Sequence, residues 1–232
     1  MQERAAFIRQ QIHNCPFIQL IHCGTLPQNI FDFYAEQDEL YIVDLAFVLQ
    51  NIANKLSTRP ETRDDSVLIY ARARLLLQEI SDGFFNPKRT PGLFQPANLC
   101  TVKIEVVEQY TQHLKRAAKS PSITIGLAAV IPCYMMYREI GERVDMSLIS
   151  PTHRYRSWIE ANSNASFVSF GYQLLEIAQK VSELELADGT LESLDPVMAT
   201  SEQSYAYERD LFNASFNGRP LLEASMQLGK VS

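Results

Sequence analysis

Two side chains in this 232-residue chain combine a reactive type with a position that could use it. Cys133 follows Pro132 in Ala129-Val-Ile-Pro-Cys-Tyr-Met-Met-Tyr-Arg-Glu-Ile-Gly141. The apolar spacing there is helical, so Pro132 falls inside a helix, removes one backbone hydrogen bond and bends the axis. The thiol then sits beside a backbone irregularity, and Tyr137, four residues on, shares its face. A thiol so placed is a nucleophile where its thiolate is stabilised and accessible, and otherwise a small core filler. Periodicity leaves both readings open. Asp38 is the second. Tyr34, Asp38 and Tyr41 recur at i, i+4 and i+7, which sets one carboxylate between two phenols on an apolar stripe. A carboxylate on a face meant for the core must find partners or shift its pKa. It is either a satisfied core aspartate or an acid–base group. Tyr110, in Val107-Glu-Gln-Tyr-Thr-Gln-His-Leu114, reads from its spacing as an ordinary amphipathic helix position.

Other chemistries lack their patterns. His13, His22, His113 and His153 are scattered, without the Glu-x-x-His pairs that a di-iron carboxylate bundle places on inward helix faces. A metal-dependent oxidase is therefore the weakest reading, and no metal site is expected. There is no P-loop, no Gly-x-Gly-x-x-Gly and no nucleophile elbow. Cys15, Cys23 and Cys100 form no Cys-x-x-Cys pair with each other or with Cys133.

The elements that must position Cys133 and Asp38 are helices. Ile30, Phe31, Phe33, Tyr34, Tyr41, Leu45, Val48 and Ile52 recur at three- and four-residue steps. Helices are expected near 2–23 (broken around Pro16), 27–56, 61–82, 101–118, 121–145, 151–162, 164–186 and 196–216, with a short one at 220–229. Thr25 with Gln28 suggests a capping box for the second, with Pro27 in its first turn. Ser120-Pro121 and Ser150-Pro151 suggest similar starts. Residues 82–97, rich in Gly and Pro, form the longest loop, and 187–196 is an acidic connection. No stretch alternates at period two for long enough to make a sheet. The reading is all-α, one domain over 1–232.

Net charge is −6 with a sequence pI near 5.3. With no clustered Lys/Arg run, binding to nucleic acid or to an anionic membrane is not expected. The N-terminus has no apolar signal segment. The most apolar run, Ile123 to Met136, is shorter than the roughly 18 residues of a spanning helix. A cytoplasmic protein with reduced thiols is the expectation.

In order along the chain, Cys15-Pro-Phe17, Gly24-Thr-Leu26, Gln37-Asp38, Gln109-Tyr-Thr-Gln-His-Leu114, Ile131-Pro-Cys133 with Tyr137 and Glu139-Ile-Gly141, Tyr155-Arg-Ser-Trp-Ile159 and Phe212-Asn-Ala-Ser215 resemble the motifs of the TenA/THI-4 (thiaminase II) family. The resemblance runs from about residue 14 to 216. It implies a haem-oxygenase-like helical bundle without haem, no cofactor, and a homo-oligomer, tetramer or dimer. It implies a small pyrimidine-like ligand and hydrolysis of 4-amino-5-aminomethyl-2-methylpyrimidine, thiamine or a related heteroaromatic amine in thiamine salvage. Carried over by position, Cys133 is the nucleophile and Asp38 orients the ring, while Tyr34, Tyr41, Tyr110 and Tyr137 line the pocket. Three positions depart from the family pattern. The opening His is Cys15, and a pocket tyrosine is Asn162. The family's late Glu, counted seven on from Phe212, falls on Arg219, with Glu223 one turn further as a substitute. Asn217-Gly-Arg-Pro220 also reads as a helix stop. These departures sustain an alternative: a diverged, non-hydrolytic ligand-binding or interaction protein on the same bundle.

Overall fold

The structure, a computed structural model, describes residues 2–82 and 102–228, with side chains described as far as residue 218. Among the described residues there is no strand, and the helices run α1 (Gln2–His13), α2 (Pro16–His22), α3 (Gln28–Leu56), α4 (Arg63–Ser81), α5 (Glu105–Lys119), α6 (Ile123–Glu142), α7 (Arg156–Ser163), α8 (Ala165–Ala187) and α9 (Asp195–Leu228). A single 3-10 turn, Pro60–Thr62, precedes α4.

Helix α6 lies at the centre because it is apolar on nearly every face, and such a helix must be covered on all sides. It packs against α9, α8, α5, α7 and α3. By length and composition α6 could cross a membrane, but the qualifying window is 78% buried inside the bundle, as a core helix requires. It reaches past the apolar run ending at Met136 and continues to Glu142. Helices α3 and α4 pack along one another on one side, and α9 closes the other against α1, α2, α3 and α5.

The start of α6 is held from another helix. Glu185, fully buried on α8, accepts hydrogen bonds from Ser122 Oγ (2.6 Å), Ile123 N (2.5 Å) and Thr124 N (3.2 Å). The Ser122 hydroxyl in turn caps Ile125 N at 3.2 Å. Orphan amides at a helix N-terminus, with the positive end of its dipole, are what a buried carboxylate needs as partners. Lys55 at the end of α3 donates to the carbonyls of Ala118 (2.6 Å) and Ser120 (2.5 Å), fixing the turn between α5 and α6.

The other end of α6 is fixed by close approach. A Cβ on Gly141 would lie 2.9 Å from the Asn162 carbonyl carbon and 2.9 Å from Ser163 N, so α7 docks there backbone to backbone. Gly24 has φ 71° where the chain turns from α2 toward α3, and a Cβ there would meet His153 Nε2 at 2.9 Å. Both positions need glycine.

Several sequence expectations change. Thr25 and Gln28 form no capping box: Pro27 is the N-cap of α3, and Gln28 Nε2 donates to Asp32 Oδ1 at 2.8 Å. Helix α7 starts at Arg156 rather than near Pro151, because 150–155 are used in turns that bring Tyr155 Oη onto the Leu26 carbonyl at 2.5 Å. Most of the expected loop at 82–97 lies outside the described residues. The expected stop at Asn217–Pro220 is absent: α9 is continuous from Asp195 to Leu228, and Gly218 is not among the positive-φ glycines. An interior proline forfeits one backbone bond and bends a helix without having to end it, as Pro132 does in α6.

Candidate active site

Five helices bring the reactive residues together. Asp38 comes from the middle of α3, Cys133 and Tyr137 from α6 just after Pro132, Tyr110 from α5, Trp158 and Asn162 from α7, and Glu208 from α9. The carboxyl of Asp38 and the thiol of Cys133 both open on a cavity of about 400 Å³. Tyr34, Tyr137 and Asn162 line the same cavity. Tyr34 and Tyr137 share a hydrogen bond between their hydroxyls at 2.6 Å.

Tyr41 and Tyr110, also singled out by the sequence, are buried behind Cys133 rather than on the cavity wall. Their rings lie 4.8 Å apart, and the Tyr110 hydroxyl donates to Glu208 Oε1 at 2.8 Å. Glu208 is itself 1% exposed. Its second oxygen, Oε2, is buried without a hydrogen-bond partner. The Tyr41 hydroxyl is likewise buried and unpartnered, beside the Cys133 thiol whose charged form it favours.

The electrostatics follow from burial without an adjacent cation. Desolvation raises Asp38 to about 7, against the Tyr34 hydroxyl, which lowers it, and the charge of Glu39, which adds to the rise. Desolvation likewise raises Glu208 to about 8; Tyr110 and Cys133 pull it down by hydrogen bonding, while the charge of Asp38 pushes it up. Burial drives the Cys133 thiol well above its ordinary value, and the charges of Glu208 and Asp38 drive it further. At neutral pH this cluster holds protons it would give up in water. A thiolate can form only as another group takes the proton, and Glu208 is the carboxyl placed to do so. A ligand carrying positive charge would stabilise the carboxylates and ease that transfer.

Glu208 is not among the residues the sequence singled out. Counting forward from Phe212 led to Arg219, whose side chain, like that of Glu223, lies outside the described residues. The carboxyl beside Cys133 comes instead from four residues before Phe212. A signal was present: Ser204, Glu208, Leu211, Phe212 and Ser215 recur at helical spacing, and all five are buried. At Asn162, where the family pattern has a tyrosine, the cavity wall is polar. Asn162 Nδ2 donates to the Trp158 carbonyl at 2.9 Å. The Trp158 ring itself lines the cavity, 6.3 Å from that of Tyr34 and 6.0 Å from that of Tyr137. Among the described residues, no three His, Cys, Asp or Glu side chains are grouped as metal ligands, and Cys15, Cys23 and Cys133 are free thiols.

Comparison with known proteins assigns the chain to a family. A model of the TENA/THI-4/PQQC family matches residues 2–210. The chain belongs to that family. Within it, the chain is 29% identical over 148 residues to an aminopyrimidine aminohydrolase of Bacillus subtilis, spanning 62% of this chain and 59% of that protein. It is 24% identical over 229 residues to one of Halalkalibacterium halodurans, covering 94% and 95% of the two chains. It also matches a thiamine biosynthesis multifunctional protein, ThiED, of Corynebacterium glutamicum, at 22% identity over 87% of this chain but only 24% of the larger protein. Among solved structures, a TenA homologue from P. horikoshii superposes with a TM-score of 0.73 at 21% identity, covering 94% and 96%. A TenA family member described as a transcription regulator, from Silicibacter sp., gives 0.76 at 19%, covering 93% and 96%. These neighbours establish the haem-oxygenase-like helical fold.

Proposed function

We propose that this TENA/THI-4/PQQC family member is an aminopyrimidine hydrolase, releasing the group carried on the ring's 5-methylene from 4-amino-5-aminomethyl-2-methylpyrimidine, thiamine or a related heteroaromatic amine. One observation carries the reading: a buried thiol on an aromatic-lined cavity adjoins the buried carboxyl of Glu208, and a second raised carboxyl, Asp38, lines the same cavity.

Each residue has a role in that reaction. As Glu208 takes the Cys133 proton, sulfur bonds to ring C6 and the displaced electron pair moves to the ring nitrogens, where the protonated Asp38 carboxyl donates a hydrogen bond to the developing charge. Those electrons return to break the bond between the methylene and its leaving group, which departs with a proton from Glu208. Water adds to the methylene, losing a proton to Glu208. The sulfur–carbon bond then breaks, which restores the thiol and frees the hydroxymethylpyrimidine. Tyr41 donates toward the sulfur while it is anionic. Tyr34 and Tyr137 order the hydroxyls around Asp38, and Trp158 supplies a face for the ring. The names of the Bacillus and Halalkalibacterium relatives support the substrate class.

The test is turnover of the aminomethylpyrimidine and of thiamine, read as ammonia or thiazole released. Cys133→Ala is expected to lose activity by on the order of 10³-fold or more while still binding the ring. Activity that survives Cys133→Ala would reject the covalent route. Tight binding without turnover by the parent chain would favour the non-hydrolytic alternative instead.

A further inference from the structure

The cavity is lined in part by residues that the proposed reaction does not use. About 400 Å³ is in the range that encloses a drug-sized ligand, and is more than one aminopyrimidine ring fills. The cavity is also lined by Ile42, Leu45 and Leu76 and by two cations, Arg154 and, from α4, Arg72, which has the phenol of Tyr134 beside it. The Arg72 guanidinium carbon lies 5.9 Å from the centroid of the Tyr134 ring and 5.9 Å from that of Phe170. Its Nη1 forms a salt bridge with Glu79 Oε1 at 3.3 Å, which leaves part of the fork unused. Arg72 Nε and the Tyr134 hydroxyl are both buried; they interact with each other, and neither meets a partner in full hydrogen-bond geometry. Tyr134 is 2% exposed.

Buried donors without acceptors are costly unless something fills them. Here two such donors lie next to each other on the wall of one cavity. A guanidinium with free N–H groups beside a phenol O–H is a recognition pair for oxygen acceptors, above all a carboxylate. Asp38 brings a carboxyl to the same cavity. The cavity thus offers a carboxyl and a guanidinium to one ligand.

We infer that Arg72 and Tyr134 form a second subsite that binds an oxygen acceptor, a carboxylate or carbonyl, on the leaving half of the substrate. The inference rests on the aminopyrimidine reading for the ring end only. It makes the preferred substrate a bipolar molecule: a protonated heteroaromatic amine whose substituent ends in an acceptor oxygen. Arg72 and Tyr134 determine specificity and do not take part in bond breaking.

The experiment compares affinities by calorimetry on the Cys133→Ala protein, using the aminomethylpyrimidine N-substituted with carboxymethyl, acetyl or propyl groups. The carboxymethyl compound is expected to bind about tenfold or more tightly than the propyl compound, with acetyl between. That preference should fall to about twofold in Arg72→Met and in the isosteric Tyr134→Phe, each checked for native circular dichroism. Equal affinities for carboxymethyl and propyl, or a preference that survives both substitutions, would overturn the subsite. Should no pyrimidine bind at all, benzoate against benzyl alcohol decides the matter without the ring. Thermal protection by benzoate alone, lost in Tyr134→Phe, sustains the subsite while sinking the hydrolase reading; no difference between the two sinks the subsite.

Discussion

At the scale of the residue, three acids share a buried space and hold their protons above the usual range. The pH consequences have definite signs. If Glu208 must be ionised to accept the Cys133 proton, kcat/KM rises with pH through about 8 and is lost as pH falls below it. Glu208→Gln should lower kcat by about 10²–10⁴-fold and flatten that acidic limb. Stability runs the other way. The folded pKa values of Asp38 and Glu208 lie above their ordinary ones. Their contribution is therefore fully present below the normal carboxylate range, and it is lost as pH climbs through about 7 and about 8. Asp38→Asn and Glu208→Gln should therefore raise Tm at pH 9 relative to the parent, by about 2–4 °C for each kcal/mol recovered in a chain of this size, and less at pH 5. A Tm difference independent of pH would count against raised values at these sites. Asp38 and Cys133 were legible in the sequence because each broke a pattern, a charge on an apolar stripe and a thiol after a helical proline. Glu208 broke a pattern too. It was hidden because its helix was indexed from a motif, Phe212-x-x-Ser215, whose count ran toward the C-terminus and away from the buried stripe.

At the scale of the element, apolar periodicity located the helices well, since burial decides helix formation more than propensity does. It located their ends less well. The start of α3 is set by Pro27 rather than by a Thr25 cap, and that of α7 by the turns around Tyr155. The continuity of α9 past Pro220 was not legible, because a proline's cost is local and packing along the preceding turns can outweigh it. Glycines show how closely the elements meet. Gly141→Ala forces a Cβ into the backbone of α7 and should cost about 1–3 kcal/mol, with KM raised because Trp158 and Asn162 move with α7. Gly171→Ala meets Met135 Cε at 2.6 Å, a flexible side-chain end. There the helix propensity of alanine, about 1 kcal/mol better than glycine, offsets the contact, and denaturant unfolding should find little change.

At the scale of the whole molecule, the bundle is organised around one nearly all-apolar helix that carries the nucleophile, so fold and site depend on the same packing. The homo-oligomer implied by the family resemblance predicts a sedimentation mass that is a multiple of 26.4 kDa. A single-chain mass would rule it out. The Glu185 clamp has a further bearing on how the molecule opens. The first amides of a helix ordinarily face water and exchange their hydrogens quickly, because no carbonyl precedes them. Here Ile123 N and Thr124 N are tied to a carboxylate from about sixty residues later in the chain. Their exchange should be as slow as that of the centre of α6, and should quicken only in excursions that undock α8. Deuterium uptake at these two amides then reports how often the bundle opens along the seam that holds Cys133 in place.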